Sequence, residues 1–120
     1  MLCVLQIKGT SLKAGISTRF ANSFYRADVS DDGDELLFYD VASATSSTEL
    51  AEQIKQFIAQ NKDGLIGALE CREQVQLMNL DVGIFMDEVL SRTAAFDREL
   101  IAMLAEFGIS VSISAYQSRP

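Results

Sequence analysis

The stretch Asp97–Tyr116, DRELIAMLAEFGISVSISAY, holds two periodicities joined at one glycine. Through Leu100, Ile101, Leu104 and Phe107 the apolar residues recur at helical spacing, and from Ile109 to Tyr116 they alternate strictly with polar ones. The first pattern predicts an amphipathic helix and the second a strand with one face on a core. Asp97 precedes the helical run as an N-cap, Phe96 stands where a hydrophobic staple would meet Ile101, and Gly108 supplies the left-handed residue that ends the helix. A helix that turns straight into a strand must pack back onto the sheet that strand joins. The alternation reads as an antiparallel strand, with Ile109, Val111 and Ile113 facing inward and Ser110, Ser112, Ser114 and Tyr116 on the wet face.

Working outward, Leu77–Met86 is a second long alternating run. It places Met78, Leu80, Val82, Ile84 and Met86 on one face and Asn79, Asp81, Gly83 and Phe85 on the other. Leu2–Lys8 is a first strand, and Leu12, Ile16 and Phe20 recur every four residues as a short helix over 11–20. Phe24–Val29 and Glu35–Val41 flank SDDGD, a gap of turn formers, and read as a hairpin. Ser46 with Glu49 is a capping box before the stripe Leu50, Ile54, Phe57 and Ile58. Asn61-Lys62-Asp63-Gly64 stops or kinks that helix before Leu65–Leu69 adds a further apolar turn or two. Gly64 and Gly67 read as a turn with a close helix approach rather than a phosphate loop.

The element order β(α)ββαβαβ predicts an α+β, two-layer sandwich spanning residues 1–120 as a single domain. Its sheet has about five mostly antiparallel strands with two main helices, and its first six elements match an extended ferredoxin-like βαββαβ.

Composition excludes several chemistries. The 120-residue chain has no histidine, which removes histidine-based triads, general bases and histidine-containing zinc sites. It has two cysteines, Cys3 and Cys71, too few for a four-cysteine metal site and expected as reduced thiols. Neither a GxGxxG nor a GxxxxGK[ST] motif is present, and no cofactor or metal is expected. Asp31, Asp32, Asp34 and Glu35 lack the spacing of a calcium loop and read as a solvated hairpin tip. Asp81, Asp87 and Glu88 raise carboxylate catalysis, which needs two carboxyl groups whose environments separate their pKa values. Without that separation, Asp81 reads as an outward strand residue. The net charge of −7 argues against nucleic acid and anionic membranes as partners and permits a basic protein partner. No apolar run is long enough to span a bilayer, and MLCVLQIKG reads as a strand rather than a signal peptide, so the expected compartment is the cytoplasm.

The unit ELIAMLAEFG followed by ISVSISAY, with LDVGIF and LQIKGTSL before it, resembles the bacterial domain-of-unknown-function four-two-seven-nine family. Members often carry a tryptophan in the hairpin and a proline after the short helix, neither of which this chain has. The resemblance implies a small, often free-standing bacterial α+β domain, and it transfers no catalytic residue.

The functional expectation is therefore a small non-enzymatic protein-interaction domain, in its specific form an acidic immunity- or inhibitor-type protein. The alternative is a small-ligand site or minor enzyme on the sheet face. The binding residues expected in either case are Asp81, Ser110, Ser112, Ser114 and Tyr116, and the last strand, if an edge, offers a homodimer contact.

Overall fold

The computed structural model describes residues 1–87, 89 and 91–117. Five strands, β1 (Leu2–Gly9), β2 (Arg26–Val29), β3 (Glu35–Ser43), β4 (Val75–Phe85) and β5 (Ser110–Tyr116), form one sheet in the order β2-β3-β1-β4-β5. The pairs β2–β3, β3–β1 and β1–β4 are antiparallel and β4–β5 is parallel. It follows that β1 and β2 run parallel with β3 between them, and β3 and β4 run parallel with β1 between them. These are two interlocked split βαβ units, as the element order predicts, extended by one further crossover to β5.

Three α-helices cover one face: α1 (Ser47–Gln60), α2 (Lys62–Glu70) and α3 (Arg98–Glu106). Cys3, Leu5 and Ile7 of β1, Leu37 and Tyr39 of β3, and Met78, Leu80, Val82 and Ile84 of β4 meet the helix stripes in a single core. Alternation then dictates that the opposite face carries the intervening residues, and no helix among the described residues covers it.

Local chemistry explains the helix ends. The Ser46 side chain accepts from the Glu49 amide at 3.2 Å, while Glu49 returns to the Thr45 amide rather than to that of Ser46, so the capping box closes one residue early. Asp97 accepts from the Leu100 amide at 2.8 Å, and Gly108 takes φ +67° at the end of α3. Ile101 does not join the buried stripe expected of it: it is 55% exposed, while Leu100, Leu104 and Phe107 are buried. Leu100 and Ile101 sit about 100° apart on the helix, and only one of them can point at the sheet.

Between α1 and α2, Asn61 leaves helical geometry (φ −111°, ψ 22°) and is 1% exposed. Its amide nitrogen donates to the Phe57 carbonyl and to Asn22 Oδ1, each at 2.9 Å, and its Oδ1 accepts from the Asn22 amide at 2.9 Å. The break thus makes a third helix and ties the segment after the first crossover to the helix layer.

That first crossover is not the helix expected over 11–20. Only Ile16–Arg19 forms a 3₁₀ turn, yet Leu12, Ile16 and Phe20 are all buried. It lies against α2, where a Cβ on Gly64 would stand 2.3 Å from the Phe20 ring and one on Gly67 2.6 Å from the Arg19 guanidinium. The two glycines, almost one turn apart, allow this close approach, as their spacing suggested. Arg19 then pairs with Asp63 at 2.9 Å.

Candidate functional site

The uncovered face is built by register. Val4 pairs with Asp40 on one side and Asp81 on the other, and Asp81 pairs with Ser112. A row Asp40–Val4–Asp81–Ser112 therefore crosses four strands, beside the row Arg26–Phe38–Gln6–Asn79–Ser110. A bulge at Val41, where the register shifts between Cys3 and Val4, brings Asp40 into line with Val4.

All five residues singled out in the sequence lie on this face. Two of the serines are engaged: Ser110 donates to Asn79 Oδ1 at 2.9 Å, and the Asn79 amide nitrogen donates to Ser112 Oγ at 2.7 Å. Tyr116 stacks on Phe85 with centroids 5.6 Å apart. Ser114 stands opposite Gly83, where an added Cβ would lie in ordinary van der Waals contact with the Tyr116 ring, at 3.5 Å. This part of the face holds β5 onto β4.

The strand direction corrects the sequence reading. β5 is parallel to β4, because the crossover through α3 returns the chain to the same end of the sheet. Ile109 is buried, but Val111 and Ile113, which point to the helix side, are 39% and 52% exposed. Met86 is only partly buried, and Phe85, on the open face, is buried instead.

Asp81 and Asp40 are both exposed, and neither has an ion-pair partner among the described residues. Two strand spacings, about 9.5 Å, separate their backbones. Both bear on Tyr25: partial burial first, then Asp40, with a smaller contribution from Asp81, hold its phenol above the ordinary value. Cys3, on the covered face of the same strand as Val4, is pushed up to about 12 by burial, with Asp81 adding, and is a poor nucleophile. Both cysteines are free thiols, as expected.

Other charged residues on and beside this face are paired. Arg26 pairs with Asp28 at 2.7 Å and lies 5.2 Å from the Phe38 ring centroid. Lys8 reaches Asp32 at 3.3 Å. At the hairpin tip Asp32 accepts from Ser30 and from the Asp34 amide, which with Lys8 lowers its carboxyl to about 2. Asp34 accepts from Gln76 and Glu35 from the Lys13 amide, so these acids tie loops together. Asp87 lies beyond the end of β4, away from Asp81, and Glu88 is outside the described residues.

The carboxylate beside Asp81 across the sheet is thus Asp40, which the sequence reading missed. Alternation with buried Leu37 and Tyr39 puts it on the open face, but its neighbours follow only from register. Of the five expected residues, Ser110 borders a surface hollow of about 280 Å³ lined also by Leu69, Arg72, Met78 and Phe107. No helix among the described residues is long and apolar enough to cross a membrane. No protein-family model, curated protein or solved structure matches the chain.

Proposed function

We propose that the protein is a non-enzymatic interaction domain that receives a basic protein on the open face of its sheet. The observation that carries this reading is the row Asp40–Val4–Asp81: two exposed carboxylates without cation partners among the described residues flank an apolar residue. Tyr25 is 53% and Tyr116 42% exposed, and the two add aromatic contact area toward the two sides of the face. A lysine or arginine set between Asp40 and Asp81 gains both charges without displacing an internal ion pair, and the net charge of −7 speeds the encounter. An immunity- or inhibitor-type role toward a basic toxin domain is the specific form of this proposal, set in the cytoplasm in keeping with two free thiols. Membership of the four-two-seven-nine family, proposed on the C-terminal unit, adds no activity to it.

The test is affinity capture from host lysate at low and high salt, repeated with Asp40→Asn/Asp81→Asn. The expected result is a basic protein retained at low salt, released at high salt and weakened at least about tenfold by the double substitution. Retention that ignores both salt and the two substitutions contradicts the proposal.

A further inference from the structure

The free edge of β5 carries the next inference. Its seven residues, Ser110–Tyr116, include no charged residue and no proline, in a chain of net charge −7. Natural edges are protected by charge, proline, bulges or brevity, and β5 has none of these. The backbone direction is set by the Met86 amide, which donates to the Tyr116 carbonyl at 2.7 Å. Tyr116 therefore turns its backbone groups toward β4, and by alternation Ser110, Ser112 and Ser114 do the same. The amides and carbonyls of Val111, Ile113 and Ala115 then point outward from the sheet.

These same residues carry the side chains left exposed on the helix side, Ile113 at 52% more so than Val111 at 39%. The strand is also symmetric about Ile113. Reversed on itself, it sets Ser112 against Ser114, Val111 against Ala115, Ser110 against Tyr116 and Ile113 against Ile113, matching apolar with apolar on one face and hydroxyl with hydroxyl on the other.

We infer that β5 pairs antiparallel with β5 of a second copy about a two-fold axis at Ile113. Val111, Ile113 and Ala115 exchange backbone hydrogen bonds with their counterparts, and the two sheets become continuous. The second copy fits better than an unrelated strand, because the neutral seam lets two acidic chains meet without opposing charges. A two-fold axis normal to the sheet keeps both open faces on the same side, so the dimer presents the Asp40–Asp81 row twice. This pairing does not depend on the basic partner proposed above.

The experiment is sedimentation velocity on the whole chain from about 10 µM to about 1 mM, the range that a small interface calls for. It is run beside Ile113→Lys, with circular dichroism to verify the fold. A concentration-dependent dimer that Ile113→Lys abolishes is expected. A chain that stays monomeric throughout, or a dimer untouched by Ile113→Lys, overturns the inference. Register is read in a Cys71→Ser background by mild oxidation of Ile113→Cys and, separately, Val111→Cys. Cross-linking is expected at 113, where paired Cα atoms fall within disulfide reach, and not at 111, where the two copies are about 14 Å apart along the strands. This arm needs no charge in the seam, so it decides the matter if the lysine variant misfolds. Equal cross-linking at both positions, or none at 113, overturns it.

Discussion

The two ends of the sheet solve the problem of an unpaired edge in opposite ways. At one end β2 is four residues long, carries the Arg26–Asp28 ion pair, and lays Arg26 over the Phe38 ring. Behind it the helix layer is dense: Tyr39 is fully buried, stacks on Phe20 at 4.6 Å, and meets Phe24 and Phe57 edge-on. At the other end β5 is longer and uncharged, and Val111 and Ile113 lie beyond the cover of the helix layer. The difference teaches that burial and edge protection are distributed together here. The end that is closed by charge is also the end backed by aromatic packing, and the end whose apolar side chains the helix layer leaves exposed is the one left free to pair.

Substitution at the closed end should be costly. Gly64→Val places a side chain where even a Cβ would stand 2.3 Å from the Phe20 ring, and the overpacking should cost about 3 kcal/mol by urea unfolding. A loss below about 0.5 kcal/mol, within the range of surface substitutions, would mean that the crossover segment packs loosely. Asn61→Ala removes the buried side chain that accepts from the Asn22 amide and donates to Asn22 Oδ1 and the Phe57 carbonyl, and should cost about 2 kcal/mol by the same measurement.

Tyr39→Phe sharpens the comparison in the other direction. The Tyr39 hydroxyl is buried with no hydrogen-bond partner among the described residues, so removing it should be neutral or gain up to about 1 kcal/mol at pH 7. Burial pushes its phenol up to about 12 from the ordinary 10. The folded state therefore holds this proton more tightly than the unfolded chain. The resulting stability is fully present below pH 10 and is lost as pH rises toward 12. Unfolding measured from pH 8 to 12 should show a steeper alkaline loss in the parent chain than in Tyr39→Phe, and parallel curves would contradict this.

The smallest effect belongs to the open end. Asn79→Ala removes the half-exposed clip to Ser110 and Ser112 and should cost about 1 kcal/mol or less. Amide exchange should show the loosening confined to β5, because α3 and β4 remain anchored by Leu100, Leu104 and Val82.

Much of this was legible in the sequence, for identifiable reasons. Caps and stops are local, so Ser46, Asp97 and Gly108 announced their roles within a few residues. The element order sufficed for the split βαβ units. The direction of β5 was not legible, because alternation has the same period in parallel and antiparallel strands. Nor was the exposure of Val111 and Ile113, since an apolar position signals a face and not what lies above it. Ile101 was misplaced because adjacent apolar residues on a helix compete for one stripe. Asn61 read only as a stop signal, whereas its burial depends on Asn22, 39 positions away. On the candidate face, the alternation of serines and Asp81 was visible, but Asp40 joins Asp81 only through the register of β1 with β3 and β4 and the bulge at Val41.

The contrast between the two edges is tested most directly by amide hydrogen exchange at two protein concentrations, about tenfold apart in the range where a small interface forms. The account predicts that the amides of Val111, Ile113 and Ala115 become more protected as concentration rises, while the exchange of the β2 amides stays unchanged. Protection of those three that is independent of concentration, or a gain in protection at β2 instead, would contradict it.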